Sequence, residues 1–116
     1  MSAAQFQTTR GCATLLLPRD FGGDYAQEIR EQLLATLHRE QQIHAVVFDC
    51  THLQIIDKQD LNQLLATVQC IKLMGKRVGF CSISASLAAV MVNISFELKE
   101  CRFGLNLDDA INRLVS

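Results

Sequence analysis

His44–Leu65 reads HAVVFDCTHLQIIDKQDLNQLL. Ala45–Phe48 is a continuous apolar run rich in β-branched residues, the pattern of a strand covered on both faces, as in a parallel sheet with helices above and below. Asp49 ends the run, and Cys50–Ile56 read as a crossing loop anchored by Leu53, Ile55 and Ile56. Asp57 is placed as a helix N-cap, with Asp60 three residues on as a weaker relative of the capping box. Leu61, Leu64, Leu65, Val68 and Ile71 then recur at helical spacing, and Gly75 after Met74 supplies a stop. A loop leaving the carboxyl end of a buried strand is where open α/β sheets place their working surface.

Working outward toward the amino end, residues 1–4 read as a loose tail. Phe6–Arg10 and Cys12–Leu17 read as two short strands around Gly11. Pro18–Asp24 is turn chemistry, and Asp24 with Gln27 is expected to cap a helix whose stripe is Ile29, Leu33, Leu34 and Leu37. Glu28, Arg30, Glu31, Arg39 and Glu40 should face water, with the helix ending around Gln41.

Toward the carboxyl end, Lys76 and Arg77 follow the organising helix, where cations suit the negative end of the dipole. Val78–Ile83 reads as a second buried strand and Ser84 as the cap of a helix over Ala85–Ile94. Leu87, Val90, Met91 and Ile94 would face inward, yet Ala88, Ala89 and Val92 occupy the other side, which suits a helix packed on a neighbour or on a partner. Glu100–Phe103 reads as a short edge strand. Asn106 with Asp109 marks a last helix burying Leu107, Ala110, Ile111 and Leu114. The alternation ββαβαβα(β)α predicts an α/β fold, a small mixed, mostly parallel sheet of 4–5 strands with about four helices.

The 116 residues are expected to form one domain over residues 1–116, with a core that needs no staples. With 49% hydrophobic and 20% charged residues and a single proline, the composition is that of an ordered globular chain. A net charge of −1 argues against general nucleic-acid binding, which needs clustered Lys and Arg. No apolar run approaches 18 residues and no leader pattern is visible, so a cytoplasmic protein without a membrane span is expected. The five cysteines at 12, 50, 70, 81 and 101 form no C-x-x-C and read as small buried hydrophobes in a reducing compartment. His38, His44 and His52 share no ligand spacing with a cysteine pair, so neither a metal nor a cofactor is expected.

Catalytic signatures are sparse. Nucleotide, P-loop, serine-hydrolase and zinc-protease motifs are absent. Asp49, Asp57 and Asp60 cluster near one loop, but Asp57 and Asp60 stand where helix caps belong. Cys50 with His52 is a weak nucleophile–base pair with no orienting third group. Gly22-Gly23 has no following lysine and reads as a turn.

Three segments together carry a resemblance: FDCTHLQIID (Phe48–Asp57), LMGKRV (Leu73–Val78) and SISASLAAVMVNI (Ser82–Ile94). With the hairpin opening, they make nearly the whole chain resemble a STAS domain of the anti-sigma factor antagonist family, in particular its stressosome-scaffold branch. The resemblance implies the STAS fold and a switchable binding module, not an enzyme. It implies as partners a STAS paralogue, a serine kinase of the anti-sigma type, or both, in homo- or hetero-oligomers. The family's phosphorylated serine follows the loop aspartate, and here that position is Lys58 after Asp57. A second hydroxyl position of scaffold relatives corresponds to Cys81. Thr51, Ser82, Ser84 and Ser86 lie in neighbouring loops and offer other hydroxyls, and nothing in the sequence selects one. The partner surface implied is Cys50–Ile56, the helix start at Asp57, Lys58, Gln59 and Asn62, and Ser82–Ser86. Two other readings stand beside this one: a lone STAS subunit of a transporter or of a polysaccharide or biofilm pathway, and, more remotely, a small enzyme using Cys50 or Asp57.

Overall fold

The computed structural model describes residues 6–55 and 57–115. The chain runs β1 (Gln7–Thr9), β2 (Cys12–Leu16), α1 (Gly23–Arg39), β3 (Ala45–Asp49), α2 (Lys58–Leu73), β4 (Arg77–Cys81), α3 (Ala85–Met91), a 3-10 turn (Val92–Ile94), β5 (Arg102–Gly104) and α4 (Leu107–Val115). The expected tail and the Ile56 anchor lie outside the described residues. The strands form one sheet in the order β1-β2-β3-β4-β5; β1 is antiparallel to β2 and the remaining pairs are parallel. Among the described residues no helix is long and apolar enough to cross a membrane.

Strand β3 is buried on both sides because successive side chains point to opposite faces. Val46 and Phe48 enter the core shared with α1, α2 and α3, whereas Ala45 and Val47 pack under α4. The first core also takes Ile29, Leu33 and Leu37 of α1, and Leu64, Val68 and Ile71 of α2. The second is smaller: Cys12 and Cys81 join Ala110, Ile111 and Leu114. The nine-residue α4 does not cover the whole of that face, and Leu16 on β2 is left 53% exposed.

Contact between α4 and the sheet requires glycine at two strand positions. A Cβ on Gly104 would stand 2.4 Å from the Ala110 nitrogen, and one on Gly79 would stand 2.8 Å from Leu114 Cδ1. The first obstacle is backbone and cannot swing aside. Arg77 ties the far end of α4 by donating to the Leu114 carbonyl. At its start, Asn106 Oδ1 accepts from the Asp109 amide at 2.9 Å, while Asp109 Oδ2 accepts from the Leu105 amide at 2.9 Å. That second bond holds the Asp109 carboxyl below its ordinary range, with the Arg113 side chain helping.

Four sequence expectations are corrected by local geometry. Asp24 does not cap α1; the N-cap is Gly22, with no side-chain bond, and Asp24 lies inside the first turn. A Cβ at position 22 would fall 2.0 Å from Asp60 Oδ1, so a side chain there would require the Asp60 carboxylate to swing aside. Arg30 is not a solvent residue: its Nε donates to Thr67 Oγ1 at 3.0 Å and its Nη2 to the Gln63 carbonyl at 3.2 Å, pinning α1 to α2. β4 stops at Cys81 because Ser82 takes φ +61, a left-handed conformation no strand continues. The third helix ends at Met91 and tightens into the 3-10 turn.

Two outcomes test this packing. Gly104→Ala should lower stability by about 1–3 kcal/mol through overpacking against α4, seen as a lower urea midpoint at unchanged slope. Gly23, with nothing within 4 Å of its would-be Cβ but φ +58, is the control for backbone strain alone. The cysteines should titrate as five free thiols after unfolding under reducing conditions. A stable intramolecular disulfide would contradict their placement.

Candidate functional site

The carboxyl ends of β3 and β4 deliver two loops and two helix starts to one side of the sheet. The β3 loop is folded by its own aspartate: Asp49 Oδ1 accepts from the Thr51 amide at 3.0 Å and from Thr51 Oγ1 at 2.6 Å. The Cys50 amide donates to the Cys81 carbonyl at 3.0 Å, so pairing of the two strand ends continues one residue beyond β3. Further along, the Gln54 amide donates to the Arg19 carbonyl at 2.9 Å, and Arg19 Nε donates to Gln54 Oε1 at 3.1 Å. The loop is therefore laced to the turn that follows β2, with Leu53 buried beneath it.

Helix α2 begins where the sequence places it. Asp57 is the N-cap in extended conformation, and its carboxylate accepts from the Asp60 amide at 2.9 Å. Such a cap contributes about 1 kcal/mol to a helix. Lys58 is the first helical residue and is exposed, as are Gln59 and Asn62. At the neighbouring loop, Ser84 caps α3 by accepting from the Leu87 amide at 3.1 Å, and its hydroxyl lies 3.2 Å from that of Ser86.

Between the start of α2 and α3 runs a groove of about 460 Å3. Asp57, Lys58, Asn62 and the buried Leu61 line one side; Val90, Asn93 and Ile94 line the other. Three expected site residues thus share one groove. Thr51, Gln59, Ser84 and Ser86 are exposed on the same end of the molecule without lining it, and half-buried Ser82 lines a different cavity. Val90 and Asn93 were not singled out by sequence for this side. Their placement opposite Lys58 depends on how α3 packs, although the polar Asn93 in an otherwise apolar stretch was a visible signal.

The chemistry available here is recognition more than bond-making. Cys50 is 1% exposed, and burial pushes its thiol up to about 12, with Cys81 and Asp49 adding to the rise. A thiol so held supplies no thiolate near neutral pH. Cys81 is fully buried under α4 and its thiol is also raised, chiefly by desolvation. Asp57 is occupied as a cap. Among the described residues no group of three or more His, Cys, Asp or Glu side chains is placed to hold a metal ion.

Comparison with known proteins agrees with this architecture. A serine-to-glutamate variant of RsbS from Moorella thermoacetica superposes with a TM-score of 0.81 at 16% identity, over 97% of this chain and 95% of that one. The Bacillus cell fate determinant SpoIIAA in its phosphorylated form gives 0.68 at 15% identity, over 96% and 98%. A sulfate transporter family protein from Wolinella succinogenes gives 0.68 at 12%, over 93% and 88%. At such identities the likeness is one of fold. No curated protein sequence matches the chain significantly. The family model for the STAS domain, however, matches residues 3–110, and that span covers all five strands and the first turn of α4. By this match, the chain belongs to the STAS domain family.

Proposed function

We propose that the chain acts as one STAS unit in the bacterial cytoplasm, a non-enzymatic protein–protein interaction module of the anti-sigma factor antagonist or stressosome-scaffold kind. In this reading it works in a partner-switching pathway, with a STAS paralogue, a serine kinase of the anti-sigma type, or both as partners. One observation carries the proposal: an exposed cation, Lys58, stands immediately after the N-cap Asp57 on the rim of a groove between two helices. The family resemblance puts the switch serine at that position. A phosphoserine there would bring about −1.5 to −2 charges to the helix start. Lys58 brings one positive charge and has no hydroxyl to accept a phosphoryl group. A partner that leaves on phosphorylation would therefore stay bound at this site. The hydroxyls of Thr51, Ser82, Ser84 and Ser86 on the same end of the sheet are the remaining acceptors.

A second reading, a lone STAS subunit serving a transporter, draws support from the similarity in fold to the Wolinella transporter-family protein. Co-purification with a membrane protein rather than with a kinase or a STAS paralogue would favour it.

Incubation with the cognate kinase and ATP, followed by mass spectrometry, should leave position 58 unlabelled. Lys58→Ser should restore labelling there. Lys58→Glu should weaken partner binding by on the order of 1 kcal/mol, the scale of an exposed charge pair. Release of the partner by ATP with no phosphosite at Thr51, Ser82, Ser84 or Ser86 would overturn this account of the switch.

Assembly is a separate expectation. The outer face of α3 exposes Ala88 and Ala89, with Val92 64% and Phe96 80% exposed just beyond it. Ala89→Glu, at a position lining neither large groove, should weaken self-assembly or co-assembly with a paralogue while leaving the circular dichroism spectrum unchanged. A clean monomer in light scattering at every concentration, alone and with the paralogue, argues against an assembly role for α3.

A further inference from the structure

A second groove, of about 720 Å3, shares no lining residue with the one beside Lys58. It follows the outer edge of β5. Met91 and Val92, from α3 and its continuation, form one wall; Asp109 and Arg113 of α4 form the other; Phe103, Gly104 and Leu105 lie between them. Helices α3 and α4 pack on opposite faces of the sheet. A cavity lined by both must therefore straddle the sheet edge.

Three features of that edge are independent of Lys58. Among the described residues strand β5 pairs with β4 alone, so its other side presents its backbone to no strand. A ladder of aromatic rings crosses the sheet toward it: Phe48 to Phe80 at 5.5 Å, then Phe80 to Phe103 at 5.4 Å and nearly parallel. The ladder stops at Phe103, 42% exposed, beside Leu105 at 86% and Val92 at 64%. The third feature is charge. Lys99 and Arg113 line the groove, and Arg102 is exposed on β5 itself. The single acid lining it among the described residues, Asp109, accepts from the Leu105 amide and pairs with Arg113 Nε at 3.3 Å, so acid and base offset each other. Glu100 faces Lys72 at 4.0 Å, and Lys99 and Arg102 are left to set the sign of the edge.

Charge decides between occupants. A second copy pairing edge to edge about a twofold axis would set Lys99 and Arg102 against the same two cations, which is how edge strands discourage self-association. A guest strand carrying carboxylates meets no such repulsion. The geometry points to the β5 edge as a docking site for an extended segment of a partner protein that alternates apolar and acidic side chains and adds as a sixth strand. Alternation along β5 turns Phe103, stacked on Phe80, to the α3 side and Arg102 and Gly104 to the α4 side, in agreement with the contact between Gly104 and Ala110. A guest in register sends its apolar residues toward Met91, Val92 and Phe103, and its carboxylates toward Arg102. Main-chain bonds would supply affinity, and the two unlike walls would supply selectivity.

The test is an amide-resolved NMR titration of the full chain with a nine-residue capped peptide alternating valine and glutamate, beginning and ending with valine. Shifts should centre on residues 102–105, and amide exchange within β5 should slow at least tenfold. The same peptide with lysine for glutamate, or with proline for the central valine, should not bind. Arg102→Glu should weaken binding tenfold or more. Leu105→Lys, at a position exposed enough to spare the fold, should do the same. Lys58→Ser should leave binding unchanged, which separates this surface from the switch groove. The proposal is overturned by an absence of β5 shifts at millimolar peptide, by equal binding of the lysine or proline peptide, by shifts centred elsewhere, or by loss of binding in Lys58→Ser. Concentration-dependent β5 shifts without peptide would assign the edge to a second copy and overturn it equally.

Discussion

Everything in this fold depends on β3 being buried on both faces. Five residues, Ala45–Asp49, pair in parallel with β2 on one side and β4 on the other. Parallel neighbours cannot be joined by tight turns, so the chain must leave the sheet and return through α1 and α2. Those crossovers cover the Val46–Phe48 face, and only α4 remains to cover Ala45 and Val47. The same constraint gathers the carboxyl ends of β2, β3 and β4 on one side, where the loops after each strand meet. The working surface is thus a by-product of how the central strand is buried.

The second consequence is a division of labour between the two faces. The α1–α2 face is deep, fed by long stripes and tied by Arg30 to Thr67 and Gln63. The α4 face is thin and depends on close approach at Gly79 and Gly104 instead of large side chains. Helix α3, of seven residues, is too short to be stable alone and is held by its Ser84 cap and by Leu87 and Met91. It nonetheless walls both grooves, with Val90 on the Lys58 side and Met91 on the β5 side.

Much of this was legible in the sequence, and what was not has physical causes. The runs at Ala45–Phe48 and Val78–Cys81, the caps Asp57, Ser84 and Asn106, and the inward stripes of α1, α2 and α4 are local signals that structure preserves. Asp24 misled because a good capping residue stood two positions too late, and at the true cap, Gly22, the neighbouring Asp60 carboxylate fills the place of a side chain. Ile83 extended an apolar pattern past the point where Ser82 turns left-handed. Arg30 looked solvent-facing because helical periodicity carries no information about a hydroxyl on a neighbouring helix. The groove beside Lys58 and the one along β5 are each assembled from segments distant in sequence. Only the Lys58 side of the first was readable, through family resemblance.

Lys58 itself is not explained by stability. A lysine in the first turn opposes the helix dipole by about 0.3–1 kcal/mol, where an acid would gain a similar amount. Asp57 and Asp60 are close in sequence, but exposed pairs return only about 0–1 kcal/mol, and no ion pair to Lys58 is formed among the described residues. Leu61 supplies the packing of that turn, and Asp57 supplies its cap. The fold would accept serine, glutamine or glutamate at position 58 with equal or better energy. A residue that the helix does not need, exposed at the mouth of a groove lined by Asn62, Val90 and Asn93, is best understood through what it presents outward: a fixed positive charge beside a mixed polar and apolar wall.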